Sequence, residues 1–249
     1  MLEALLYIHA VLPALETLLE HSEEARKRLG NRDFKIRITI LGVTTSTLHF
    51  KNQKLHILTK PAKADIHLTF EKPSQIIELL KEKRPSFPHL EFPQNPCPQH
   101  LHILPTLLHI LDKRLSPPKD KTSLLLHVRL LLDIAYKAVP YFAKHDPSTK
   151  EILQNTPYGL LLLQVKGTDI SGWIHWDGRS VETSTQSPPH QPPDTLITFN
   201  DPLTAYYAFH EKLDTHAAIG LHQMSIEGNL PFADKISALL ERLNLVLPR

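Results

Sequence analysis

Short alternating runs between leucine-rich stretches set the pattern of this chain. Residues 35–41, 47–50, 54–58 and 66–70 alternate or cluster apolar positions at the period of strands. Residues 159–165, 172–176, 180–185 and 195–199 do the same in the second half. Each set is preceded by a leucine-rich stretch at helical spacing, residues 2–30 and 123–153. Each is closed by an amphipathic stretch, residues 104–115 and 231–243. Asp177-Gly178 between two strand runs predicts a hairpin turn, and Asn52-Gln53 occupies the matching place upstream. Strands grouped between helices predict an α+β protein.

The two halves match in order and at a nearly constant offset. Asp65, Thr69, Phe70 and Pro73 recur as Asp194, Thr198, Phe199 and Pro202, all 129 residues on. Gly42 aligns with Gly167 at an offset of 125, and the run 48–53 aligns with 174–179 at 126. Leu12-Pro13 aligns with Val139-Pro140 at 127. Each match is weak alone; together they predict a duplicated unit. Ser116-Pro117-Pro118 reads as the linker, giving domains at 1–117 and 118–249.

The copies diverge before their last helices. In the second, Gly220 and Gly228 bracket a short loop and a final strand ending in Ile226-Glu227-Gly228-Asn229. In the first, five prolines fall between residues 85 and 98. Proline has no N–H to give a ladder, so this run reads as loop or extended edge, with residues 99–104 as the strand candidate. Residues 188–193, Pro-Pro-His-Gln-Pro-Pro, read as an exposed loop.

The N-terminal stretch is apolar from Ala4 to Leu15, but Glu3 and Glu16 flank it. It lacks a basic n-region and a small-residue cleavage site, so it reads as a core helix rather than a signal peptide. Pro13 should kink it or start a new helix. An interfacial membrane helix is the alternative. No apolar run is expected to reach the roughly 20 residues of a membrane span.

These residues resemble the sterol carrier protein type 2 superfamily of lipid-binding domains. The second unit carries the resemblance: Gly172-Trp173-Ile174-His175-Trp176-Asp177-Gly178, Asp194 to Phe199, Asn200-Asp201-Pro202, and Met224-Ser225-Ile226-Glu227-Gly228-Asn229 before a terminal helix. The first unit is similar to bacterial accessory proteins of ubiquinone biosynthesis that carry this domain, and departs from the pattern at its proline-rich run. The resemblance implies two sterol-carrier-like units. Each would have a mixed, mostly antiparallel sheet of about five strands packed against helices. It further implies a tunnel between sheet and helices for an apolar lipid: a sterol, a fatty acyl chain or an isoprenoid quinone-like molecule. Tyr206, Phe209, Phe232, Ile236, Leu239 and Leu240 would line it from helices, and Trp173, Phe199 and Met224 from strands. An accessory protein with a filled core, serving biosynthetic enzymes, is the alternative.

Composition narrows the chemistry. The net charge is +2, with 28 basic and 26 acidic residues, which gives no reason to expect a nucleic-acid partner. Residues 1–117 hold 16 basic and 12 acidic side chains. Arg26, Lys27, Arg28, Arg32, Lys35 and Arg37 cluster there, a transient contact for an anionic membrane or a solvated helix end. The single Cys97 cannot form an internal disulfide, consistent with a cytoplasmic protein. His100 and His102, with His109 beyond, would be neighbours on a strand, yet no third ligand type is spaced to complete a metal site. With 8 glycines, no phosphate loop and no acid–base pair, no enzyme and no cofactor are expected. The excess of histidine, 16 residues, has no explanation in the sequence.

Overall fold

A computed structural model describes residues 1–58, 62–79, 88–93, 100–186 and 191–247. The chain forms two compact units, Met1–Ser116 and Pro117–Leu247.

Unit one opens with α1 (Leu2–Leu6), a π-helical turn (Tyr7–Val11), α2 (Ala14–His21) and α3 (Glu23–Leu29). The Leu12 N–H reaches back five residues to the Tyr7 carbonyl, at 2.9 Å. This wide turn accommodates Pro13, whose ring would clash with a carbonyl in an unbroken α-helix. Contrary to expectation, Leu2–His21 is long and apolar enough to cross a membrane by length and composition. The helix runs through Pro13, and its charges, Glu3, Glu16 and Glu20, lie toward its two ends. Two thirds of its most apolar window (67%) is buried inside the protein, including Leu6, Ile8, Leu12, Leu15, Leu18 and Leu19.

The first sheet contains β1 (Phe34–Ile40), β2 (Thr44–Lys51), β3 (Lys54–Leu58), β4 (Ile66–Phe70) and β5 (His89–Glu91). Their order is β3-β2-β1-β4-β5. Only the β1–β4 pair is parallel. Phe34, Ile36, Ile38 and Ile40 alternate into the core, as a half-buried strand requires. Asn52 and Gln53 both have positive φ, 51° and 60°, between paired Lys51 and Lys54, the two-residue turn that matches strand twist. Helices α4 (Pro73–Ile77) and α5 (Ile103–Leu115) complete the unit.

The proline-rich run does hold an extended edge, whereas the strand candidate at residues 99–104 does not form a strand over its described residues. His100 to His102 form a tight turn entering α5, and residue 99 lies outside the described residues. The strand falls inside the proline-rich run, where Pro88 and Pro93 leave a proline-free stretch between them. His89–Glu91 pairs with only three residues of β4 and is exposed throughout, so it is an edge that tolerates prolines on both flanks.

Unit two repeats the plan. Helices α6 (Lys121–His145) and α7 (Pro147–Gln154) precede β6 (Gly159–Val165), β7 (Ser171–Trp176), β8 (Val181–Ser184) and β9 (Thr195–Phe199). Then come α8 (Pro202–Phe209), α9 (Thr215–Gly220), β10 (Met224–Gly228) and α10 (Leu230–Val246). The order β10-β9-β6-β7-β8 is that of the first sheet, again with one parallel pair, β6–β9. The short loop and strand expected between Gly220 and Gly228 are present, and α9 leads into them, its cap Asp214 accepting from the Ala217 N–H at 3.0 Å.

The recurring residues perform the same task in both units. Asp65 accepts from the Lys35 N–H at 2.7 Å, and Asp194 from the Leu160 N–H at 2.8 Å. The Asp65 and Asp194 N–H groups donate back to the carbonyls of Lys35 and Leu160, both at 2.9 Å. Each aspartate thus latches the start of the crossover strand to the first strand. Phe70 and Phe199 are buried at the far ends of those strands. Gly42 and Gly167 make the same hairpin turn at φ 69° and 73°. The expectation of an α+β fold with two mixed sheets packed by helices is met in full.

Candidate functional site

The site lies in unit two, between the sheet and its helices. Strand alternation and register put Leu161, Leu163, Val165, Gly172, Ile174, Trp176, Thr195, Ile197, Phe199, Met224 and Ile226 on one face. Helices α6 and α10 cover this face. A Cβ on Gly172 would stand 2.8 Å from the Tyr136 ring of α6, and one on Gly159 would stand 3.3 Å from the Phe232 ring of α10.

Eight of the nine sequence-predicted lining residues belong to this layer or its wall. Phe199 and Met224 are directly paired across β9 and β10, and both are buried. Phe232, Ile236 and Leu239 are buried on the inner side of α10, while Leu240 is half-buried. Phe209 of α8 meets Phe199 edge to face, ring centres 5.9 Å apart. Tyr206 of α8 meets the buried His127 of α6 edge-on at 5.1 Å and His210 at 4.3 Å. Trp173 is the exception. It pairs with Leu162 and Ser184, between Gly172 and Ile174, and so occupies the opposite face of the sheet, half-buried. Its assignment to the tunnel wall is corrected by the period of two.

Helix α8 carries no charged side chain: Pro-Leu-Thr-Ala-Tyr-Tyr-Ala-Phe. Only Thr204 and Ala205 are buried, and Leu203 and Tyr207 stand exposed. It is held at its start by Asp201, which accepts from the Leu203 and Thr204 N–H groups at 2.8 and 2.9 Å. At its end the chain turns sharply through Glu211, at φ 55°. Surface helices ordinarily present a polar outer face. This one carries no charge on any face and is capped at its N-terminus by Asp201.

The Ile-x-Gly-Asn pattern gains a physical meaning here. Gly228, at φ 93°, lets the chain pass against Asp194, where a Cβ would stand 2.0 Å from the carbonyl oxygen. Asn229 then caps α10, its side chain accepting from the Phe232 N–H at 3.1 Å. Gly and Asn together aim α10 onto the sheet.

The basic cluster of unit one is largely occupied with its own fold. The Arg26 guanidinium donates to the Leu19 and Glu20 carbonyls at 2.9 and 2.6 Å, closing the end of α2. Arg32 does the same for the Arg28 and Leu29 carbonyls of α3, at 3.0 and 2.6 Å. Lys27 pairs with Glu23 at 2.6 Å.

Four histidines are accounted for by register. His49, His56, His67 and His89 all fall on the face of the first sheet opposite its core. His49 contacts Asp33 at 2.8 Å, and His67 and His89 approach Glu91 at 3.6 and 3.4 Å. Asp33 is held below the usual carboxylate range by His49 and Lys51. His100 lies flat on Phe34, ring centres 4.3 Å apart, and burial, then Arg32, depresses its protonation against the pull of Asp65. His102 is exposed at the N-cap of α5, and His109 is exposed on that helix. Among the described residues, no three His, Cys, Asp or Glu side chains are grouped to hold a metal. Cys97 lies outside the described residues.

No family model matches the sequence, and the search of curated proteins found no match. Solved structures do show similarity. A ubiquinone synthesis protein, UbiJ-SCP2, is 15% identical, with 44% of this chain and 88% of that one covered, at a TM-score of 0.36. The sterol carrier protein domain 2 of Helicoverpa armigera is 16% identical, covering 45% and 87%, at 0.36. The apo sterol carrier protein 2 of Yarrowia lipolytica is 13% identical, covering 44% and 88%, at 0.32. The chain is similar to sterol carrier protein type 2 domains. Its fold assignment rests on its own strand order and paired latches.

Proposed function

We propose that this protein is a non-enzymatic, cytoplasmic lipid carrier whose unit two takes an apolar ligand between the sheet and helices α8 and α10. The ligand class is a sterol, a fatty acyl chain or an isoprenoid quinone-like molecule. The observation that carries this reading is α8, a charge-free helix at the surface whose Tyr206 and Phe209 overlie the apolar layer and whose Leu203 and Tyr207 face outward. As the entrance element, α8 would bring no charge against the ligand. Each buried methylene of the ligand contributes about 0.8 kcal/mol, so a long chain is held without covalent chemistry. The exposed apolar side chains of α8 suit brief contact with a bilayer during loading.

Delipidated full-length protein titrated with a fluorescent fatty acid and a fluorescent sterol tests this. Saturable binding near one ligand per chain supports the reading, and no saturation with any lipid class opposes it.

Unit one favours a second role. Phe34 stacks between Phe50 at 5.0 Å and His100 at 4.3 Å, placing three rings together against its sheet. A filled unit of this kind would serve as an accessory module for enzymes of lipid or quinone biosynthesis. Organic extraction of the separately purified variants described below distinguishes the two roles by whether the lipid depends on unit two alone.

A further inference from the structure

Tyr136 stands out among the polar groups of unit two. It sits in the middle of α6 and is 1% exposed, with its ring packed against the bare backbone of Gly172. Neighbouring buried polar groups are matched. The Thr183 hydroxyl donates to the Tyr136 carbonyl at 2.6 Å, and Thr185 donates to Asp133 at 3.0 Å. Trp176 Nε1 donates to the Thr156 carbonyl at 3.3 Å. The Tyr136 hydroxyl has no hydrogen-bond partner among the described residues. A buried hydroxyl left unmatched costs about 1–3 kcal/mol, and phenylalanine would fill the same space without that cost.

Resting on the carrier reading, we propose that the Tyr136 phenol is the polar anchor for the ligand of unit two. The phenol is a donor, and burial pushes its ionisation upward, so it stays a donor at physiological pH. The phenol oxygen can also accept, but the retained O–H is the capacity that an acceptor on an otherwise apolar ligand would satisfy. Of the proposed ligand classes, the acyl ester and the quinone present a neutral carbonyl as that acceptor, which fits a buried phenol better than a carboxylate does. A buried carboxylate needs a cation, and Lys137, the adjacent cation on α6, is already bound to Asp133 at 2.9 Å. Gly172 is part of the same device. Any side chain there would push the ring off the strand and move the hydroxyl.

The test is Tyr136→Phe in the full chain, delipidated, with three probes: methyl palmitate, a benzoquinone with a short isoprenoid tail, and hexadecane. Competition against a fluorescent fatty acid gives the affinities. The variant should bind both carbonyl probes about 5- to 100-fold more weakly, the range that one buried hydrogen bond supports, and bind hexadecane as the wild type does. Loss on only one carbonyl probe identifies ester or quinone as the ligand head and supports the anchor. Ligand-free Tyr136→Phe should be at least as stable to urea as the wild type. In an infrared spectrum, the carbonyl stretch of bound ¹³C-labelled methyl palmitate should be lowered in the wild type and not in the variant. Equal losses on all three probes, or no loss on any, would overturn the anchor. So would a less stable ligand-free variant with unchanged selectivity, the signature of a buried water on the phenol. If the wild type binds none of the probes, the carrier reading fails first and separately.

Discussion

Replacing Gly228 by alanine tests whether the β10–α10 junction is built as described. Two costs combine there. At φ 93° an L-residue is outside its allowed regions, which costs about 1–2 kcal/mol. The added Cβ would also stand 2.0 Å from the Asp194 carbonyl oxygen and 3.3 Å from Thr195 Cα, and both are backbone atoms that cannot rotate away. Relief requires the strands to part. That weakens the Asn229 N–H bond to the Asp194 carbonyl at 2.9 Å and the Thr195 hydroxyl bond to the Asn229 carbonyl at 3.1 Å, each a net contribution of about 1 kcal/mol. The expected loss is therefore about 3–4 kcal/mol. Gly167→Ala is the internal control, because it also has positive φ, 73°, but nothing lies within 4 Å of its Cβ. It should lose about 1 kcal/mol. Both tryptophans of the chain, Trp173 and Trp176, lie in unit two, so tryptophan fluorescence during urea unfolding reports that unit. With a slope of about 1–3 kcal/mol per M, Gly228→Ala should lower the midpoint by more than about 1 M. A Gly228→Ala loss no larger than that of Gly167→Ala would refute the geometry of the junction.

Other expectations follow from the same structure. Asp65→Ala and Asp194→Ala each remove one crossover latch, so hydrogen exchange of the Lys35 amide should quicken in the first and of the Leu160 amide in the second, each variant losing about 1–2 kcal/mol. Asp146 caps α7 and meets Arg242 at 2.8 Å, and Arg242 holds its carboxyl below the ordinary range against the opposing effect of burial, with help from Thr149. That stabilisation is complete above about pH 4, the unfolded value, and fades as pH falls through the lowered folded value. Asp146→Asn should therefore be less stable at pH 7 and flatten the acid limb of a stability–pH profile below about pH 4. Phe209→Ala removes the α8 ring that meets Phe199, and should weaken lipid binding roughly tenfold while leaving the circular dichroism spectrum unchanged.

Much of this architecture was legible in the chain because local chemistry and global fold agree. The alternation of 35–41, the Asn52-Gln53 turn and the recurring Asp, Phe and Pro each specify one geometry, and each recurs in the structure with one function. The proline-rich run was legible as loop or extended edge, whereas the paired residues within it, His89–Glu91, were not. Three exposed residues between prolines carry no period, and pairing with β4 alone defines them. The misplacement of Trp173 was avoidable. Gly172, Ile174 and Trp176 lie on one face by parity, so Trp173 lies on the other, and its apolar character alone does not place it. The length of Leu2–His21 does not show as a contiguous apolar run, because the helix includes charged positions and carries Pro13 through a π turn. The Tyr136 anchor leaves no mark in the sequence, since an unmatched hydroxyl is visible only once its surroundings are packed.

The most direct test of the carrier claim is organic extraction and native mass spectrometry of the full chain purified without detergent. A single lipid species near one equivalent per chain, reduced in Phe209→Ala and retained in full when unit one is altered at Asp65, is the predicted result. Protein that carries no lipid and takes up none after incubation with mixed acyl esters, sterols and quinones would contradict it.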